Sequence, residues 1–240
     1  MLLRLQNASA SMTEMARHQE RLANNLANAN TTGFKRDRVF VEALNERLDA
    51  EGAPRSDRNN VQWADLEQGA LERTGNPLDV ALGGESFLNV TDAQGNELYT
   101  RAGRLVVGPD QTLQTPNGLT VQGEGGPITI PPNAQDITIT SAGQIQADGR
   151  QLGRLRVVRF EDPAQLERRA GATFAAADGA EPLEVEQPQV LQGHLEESNV
   201  NPVQAMTDMI EHFRMFESQQ KMIRSADQLL GQVARDLGRF

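Results

Sequence analysis

Cysteine is absent from the 240 residues. That removes disulfides, thiolate nucleophiles and cysteine metal sites, so stability must come from packing or from assembly. Histidine occurs only at His18, His194 and His212, scattered and without an H-E-x-x-H pair, which reads as solvated or helix-face residues rather than a metal site. One Trp, Trp63, and one Tyr, Tyr99, leave little for stacking against sugar rings. No run approaches about eighteen consecutive apolar residues. Met1-Leu2-Leu3-Arg4 passes into polar sequence by Gln6, so neither a membrane span nor a Sec signal is expected. Positive charge is short: 23 Lys and Arg against 33 Asp and Glu give a net charge of −10, which repels a phosphate backbone. Nucleic acid is therefore not an expected partner.

Catalytic signatures are missing too. Gly83-Gly84 lacks G-x-G-x-x-G spacing, no phosphate-binding G-x-x-x-x-G-K-[ST] occurs, and no G-x-S-x-G elbow is present. Carboxylates such as Glu196-Glu197 read as a solvated surface rather than an acid–base pair. The expectation is a non-enzyme with no catalytic residue, cofactor or metal.

What is present suits a folded protein: 38% hydrophobic and 23% charged residues. Near the start, Leu5, Ala8, Met12, Met15, Leu22 and Leu26 fall three and four apart except at polar Gln19, the stripe of one helix face. The run Asn24 to Gly33 then crowds weak helix formers and ends in a glycine suited to a left-handed terminus, so the helix should stop between Asn28 and Gly33. At the other end, Asn201 is placed to cap and Pro202 to open a helix through Leu237, roughly 50 Å long. Its apolar register is Met206, Met209, Phe213, Phe216, Ile223, Leu230, Ala234 and Leu237, a heptad spacing broken by Gln220 and Asp227.

Between the helices the period changes to short β-rich runs: 87–90, 98–100, 105–107, 119–121, 128–130, 137–139 and 155–158. Turn chemistry at Gln94-Gly95-Asn96, Gly108-Pro109-Asp110, Pro116-Asn117-Gly118, Pro131-Pro132-Asn133 and Asp148-Gly149 suits an antiparallel meander or barrel. Asp162-Pro163 before Ala164 to Glu167 looks like a capped helical turn, and residues 50–62 read as a loop. The expected fold class is α+β: an N-terminal helix over 1–33, a linker over 34–73, a barrel-like antiparallel all-β domain over 74–190 and a C-terminal helix over 191–240. Each end helix has an apolar stripe that a closed β domain need not cover, so the helices are expected to pair. Outer residues such as Ile210, Val233 and Phe240 are then left for neighbouring copies.

Three blocks carry a resemblance to the flagellar rod and hook proteins of the bacterial basal body. Asn24-Asn25-Leu26-Ala27-Asn28-Ala29-Asn30-Thr31-Thr32-Gly33-Phe34-Lys35 is similar to the family's N-terminal rod signature. Thr74-Gly75-Asn76-Pro77-Leu78-Asp79-Val80-Ala81-Leu82, with Gly84, Phe87, Tyr99-Thr100-Arg101-Ala102-Gly103 and Pro116-Asn117-Gly118, resembles the start of its β domain. Gly193 to Pro202 with the Met206 to Leu230 helix resembles its C-terminal signature. The length fits single-β-domain rod proteins better than the longer hook protein. Pro202, Met209-Ile210 and Phe216-Glu217 lean towards the proximal or middle rod protein, whereas Ala226-Asp227-Gln228-Leu229-Leu230 resembles the distal one, and the subtype stays open.

The resemblance implies end helices paired as a coiled coil lining an export channel, with the β domain as outer wall. It implies a helical homo-oligomeric rod in the periplasmic basal body, with other rod proteins, and hook or surrounding ring proteins, as neighbours. It also implies export by the flagellar type III system without a cleaved signal, and no direct membrane insertion. The residues expected at the assembly interface are Leu5, Met12, Met15, Leu22, Asn25, Leu26, Asn28, Asn30, Gly33, Phe34, Met206, Met209, Ile210, Phe213, Phe216, Ile223 and Leu230. Gly75, Asn76, Pro77, Leu78, Asp79, Arg101 and Gly103 are expected to form the β-domain motif.

Each has a plainer alternative. The Asn-rich stretch reads equally as a helix terminator, the Met and Phe stripe as ordinary core, and Gly75-Asn76-Pro77 as a turn. A rival function from another class is a β-domain module gripping peptidoglycan.

Overall fold

The computed structural model describes residues 2–40, 61–162, 165–177 and 179–237. Two compact units emerge, one containing both end helices and the other comprising residues 28–200.

In the helical unit, α1 (Leu2–Ala27) and α2 (Pro202–Leu237) are in contact. At 1.5 Å per residue they extend about 39 and 54 Å. Asn201 caps α2 as its side chain predicts: Oδ1 accepts the amides of Val203 at 3.0 Å and Gln204 at 3.2 Å. α1 gives way after Ala27 to a turn in which the Thr31 amide bonds the Asn28 carbonyl at 3.1 Å. No described helix is long and apolar enough to cross a membrane.

The β unit begins with β1 (Asp37–Phe40) and β2 (Val61–Ala64), an antiparallel pair. β3 (Leu71–Arg73) and β4 (Val80–Leu82) lead into β5 (Ser86–Thr91) and β6 (Glu97–Thr100). Next come β7 (Val106–Val107), β8 (Leu113–Gln114), β9 (Thr120–Gly123) and β10 (Gly126–Pro127). β11 (Ile137–Ile139), β12 (Gln144–Ala147) and β13 (Arg150–Arg154) form a separate three-stranded sheet. β14 (Val157–Arg159), β15 (Leu166–Arg168), β16 (Thr173–Ala176) and β17 (Leu183–Glu184) follow. β18 (Val190–Gln192) pairs β4, and β19 (His194–Glu196) pairs β3.

The main sheet runs β15-β16-β6-β5-β9-β8-β7, and among the described residues its ends do not pair with each other, so the expected barrel is corrected to an open sheet. A fork at β5 explains this. One edge of β5 pairs with β6 along residues 88–91, while the other divides between β9, at Val90 and Thr91, and β14, at residues 86–88. Strands diverging from one edge give no single order that could wrap round to closure.

β5 also separates two cores through its period of two. Leu88 and Val90 join a large aliphatic cluster with Val80, Leu105, Leu113, Val121, Ile145 and Leu155. Phe87, on the opposite face, joins an aromatic cluster with Tyr99, Phe160, Leu166 and Phe174. Phe87 meets Phe174 and Phe160 edge-on at 5.7 and 6.2 Å, and Tyr99 meets Phe160 edge-on at 4.9 Å.

Other expectations need correction. Leu166 and Glu167, read as part of a helical turn, lie in β15 opposite Ala176 and Ala175, because Leu166 is drawn into the aromatic core. Ile128 and Ile130 are buried, yet 128–130 is no named strand and is joined to its neighbour by the isolated Thr112–Thr129 bridge. The loop expected over 50–62 lies outside the described residues up to position 60, and Val61 and Gln62 belong to β2.

Candidate assembly surfaces and a buried ionic junction

On α2 the expected single stripe divides. Met209, His212, Phe216 and Ile223 are half-buried on the face that bears His212, whose ring lies against His18 of α1. Val203, Met206, Ile210 and Phe213 are exposed, at 70%, 47%, 56% and 48%. Their spacing of three, four and three places them along one side of the helix. On α1, Met12, Met15, Leu22 and Leu26 are half-buried and Asn25 is buried. The side chains of Leu5 and Leu230 lie outside the described residues, as do Val233, Ala234, Leu237 and Phe240. Asn28 is half-buried, with the Thr31 hydroxyl 3.2 Å from its Oδ1, whereas Asn30 is exposed.

The β unit contains a different construction, centred on Glu196. The sequence suggests a solvated carboxylate here, and the structure corrects this: the Glu196 side chain is fully buried, because two cations and a backbone amide converge on it. The Lys35 ammonium donates to Oε1 and to the Glu67 carbonyl, the latter at 2.6 Å. Arg101 donates Nε to Oε2 at 2.9 Å and Nη2 to the Leu82 carbonyl at 3.2 Å. The Gly69 amide completes the shell, 2.9 Å from Oε1. Such charges are tolerable in an interior only when paired and hydrogen-bonded together. Burial and the neighbouring Arg101 charge pull the Lys35 ammonium below its usual range, while Glu196 opposes them.

The surrounding backbone fits closely. Gly33 donates its amide to the Glu196 carbonyl at 2.7 Å. With φ of +69°, it leaves a Cβ only 2.4 Å from the backbone of Arg101 and Ala102. At Gly103 a Cβ would lie 1.6 Å from the Val80 carbonyl oxygen. Only glycine fits these two approaches.

Asn199 joins the same segments from the other side. Its Oδ1 accepts the Arg36 amide at 2.7 Å, and its Nδ2 donates to the carbonyls of Asp65 at 2.8 Å and Glu67 at 3.1 Å. Arg36 and Arg38 both reach the Asp65 carboxylate, at 2.8 and 3.1 Å. Burial alone raises the Asp65 carboxyl, but hydrogen bonds from Arg36 and the Glu67 amide, with the Arg38 charge, hold it below the usual range. Beyond lies Arg168, its Cζ 4.4 Å from the Phe34 ring centre and 4.9 Å from that of Phe174. Arg168 donates to Asp37 at 2.8 Å and to the Lys35 carbonyl.

The Gly75 to Asp79 motif is a self-capped turn. Gly75, Asn76 and Pro77 are exposed, Leu78 is half-buried and Asp79 is buried. Asp79 accepts from the Thr74 hydroxyl at 2.7 Å and the Asn76 amide at 3.0 Å, and the Gly193 amide bonds its carbonyl at 2.8 Å. The plain turn reading therefore describes its local structure, and the turn is tied to the third block of the sequence.

The junction thus brings together Gly33-Phe34-Lys35, Arg101-Ala102-Gly103 and Glu196 to Asn199, one piece from each block. Sequence reasoning picked out Gly33, Phe34, Arg101 and Gly103 but missed Glu196 as a centre and Arg168 entirely. The block spacing hints at Glu196; Arg168 has no local signal. Tyr99 is buried in the aromatic core and offers no face for a sugar.

Comparisons agree with these three pieces. Residues 5–35 match the family described as "Flagella basal body rod protein". Residues 81–147 match "Flagellar hook protein FlgE/F/G D1 domain", and residues 191–236 match "Flagellar basal body rod FlgEFG protein C-terminal". The flagellar basal-body rod protein FlgG of Agrobacterium fabrum is 35% identical, covering 96% of this chain and 97% of its own length. The corresponding FlgF of Salmonella typhimurium is 37% identical over 94% of each. The flagellar hook-basal body complex protein FlhP of Bacillus subtilis is 28% identical over 97% and 98%. With these identities running the length of the molecule, the chain belongs to the flagellar basal-body rod protein family.

Proposed function

We propose that this structural rod subunit polymerises helically into the drive shaft that carries torque from motor to hook and encloses the export channel. Its end helices pair as a coiled coil lining that channel. The observation that carries polymerisation is the exposed line Val203, Met206, Ile210 and Phe213 on α2. Burying that line between copies removes apolar surface from water, worth about 25 cal/mol per Å². Other rod proteins, together with hook or surrounding ring proteins, are the neighbours at the ends and sides. The site of action is the flagellar basal body, reached by type III export without a cleaved signal.

The buried junction serves this role by fixing the chain's outward and return segments to one point of the β unit. A load entering either segment then reaches a rigid, paired site instead of a loop. The test is incorporation: Phe213→Asp in the flagellated cell should leave soluble, folded protein and no rods containing it. Normal rods built from that variant would defeat the reading.

A further inference from the structure

His18 of α1 and His212 of α2 meet within the helical unit, their ring centres 4.0 Å apart and their planes inclined at 56°. The sequence presents these as scattered helix-face residues; the packing of the two helices makes them a pair. Both are half-buried, so neither imidazole can take a proton with a full shell of water around it. Two imidazolium ions at this separation would repel across the helix contact.

The neighbours do not cancel this. On α1 the charged groups facing His18 are Glu14 and Arg21, and on α2 they are Asp208 and His212. Glu14 lies 3.4 Å from Arg21, and Asp208 accepts a hydrogen bond from Gln204 at 2.7 Å, so both carboxylates already have partners. Arg17 and Glu20 on α1 and Glu211 on α2 are exposed to solvent. Burial, then His212 and Arg21, lower the His18 pKa from its ordinary 6.5, against the opposing pull of Glu14 and Asp208. Among the described residues no group of three or more His, Cys, Asp or Glu side chains could hold a metal ion.

We propose that the His18–His212 contact makes the pairing of α1 with α2 sensitive to protons, closed while the His18 imidazole is neutral and loosened when it is charged against the facing ring. The sign follows from linkage. A base whose folded pKa is lowered holds fewer protons folded than unfolded, so the stability present above the ordinary value is lost as pH falls through the folded one. The inference concerns the single subunit and does not depend on polymerisation.

Hydrogen exchange on the full chain at pH 7.5 and 5.5, corrected for the intrinsic rate, reads the pairing directly. Amides of residues 11–25 should exchange about three- to tenfold faster at the lower pH, with the β5 and β6 amides unaffected. The H18Q and H212Q variants should lose that acceleration. In the unaltered chain, the His18 ring proton should titrate below 6.5 by NMR, a reading that needs no variant. A His18 midpoint at or above 6.5, or the same acceleration in both variants, would overturn the proposal.

Discussion

The Lys35 ammonium and the Glu196 carboxylate, 161 positions apart in sequence, form an ion pair from which solvent is fully excluded. Arg101 lies on the other oxygen of the same carboxylate. Three chain segments are therefore held by one side chain, and this makes Glu196 the most informative position to perturb.

Glu196→Gln keeps the shape but removes the negative charge, leaving Lys35 and Arg101 buried beside a neutral amide. Stability of the β unit should fall by about 3–5 kcal/mol in urea unfolding, the range for breaking a buried pair. A change below about 1 kcal/mol, the scale of an exposed pair, would mean the junction is not closed to water.

The two glycines Gly33 and Gly75 separate strain from collision. Both have positive φ, +69° and +73°, but a Cβ at Gly75 meets nothing within 4 Å while one at Gly33 runs into the Arg101–Ala102 backbone. Gly75→Ala should cost about 1–2 kcal/mol. Gly33→Ala adds a collision, and its loss should be larger by about 1–3 kcal/mol. Equal melting temperatures for the two variants would contradict the close approach.

Arg168 is held between the Phe34 and Phe174 rings while bonding Asp37. Lysine keeps the charge without the flat fork, so Arg168→Lys should lose about 1–2 kcal/mol by thermal unfolding. An unchanged Tm would show that stacking contributes nothing here.

Tyr99 is the chain's one tyrosine, so absorbance at 295 nm reports it alone. Burial, followed by the Glu97 charge and hydrogen bond, pushes its pKa up to about 12. A raised value for a group that is neutral when protonated means the contribution is present below the ordinary 10 and is lost as pH rises through about 12. Ionisation centred at the ordinary value would place the ring in water.

Phe213→Asp and Phe216→Asp should differ in a purified subunit. Phe213 is exposed, so its replacement should move stability by no more than about 0.5 kcal/mol while abolishing motility on soft agar. Phe216 is half-buried on the face that bears His212, and its replacement should also loosen the helices, visible as lost helical circular dichroism. Swimming undiminished by Phe213→Asp would remove the assembly role of that face.

Much of the local structure was legible in residue order. Asn201 with Pro202 located the start of α2, and the Asn-rich run placed the end of α1 between Asn28 and Gly33, just past its last helical residue, Ala27, because capping and chain reversal are decided over a few neighbours. The short β-rich run at 87–90 marked β5 for the same reason. Barrel closure was not legible, since it depends on which edge each strand selects, and β5 divides one of its edges between two partners.

Residue order alone set both helices, most of the short strands, the absence of cysteine chemistry and the three blocks of family likeness. Those properties are set by nearest neighbours and composition. Packing in three dimensions made Glu196 an interior charge instead of a surface one, gave a single heptad stripe a half-buried and an exposed side, and brought His18 to His212. Burial and pairing join residues far apart in the chain, so they depend on the packing of whole elements and leave no signature in local order.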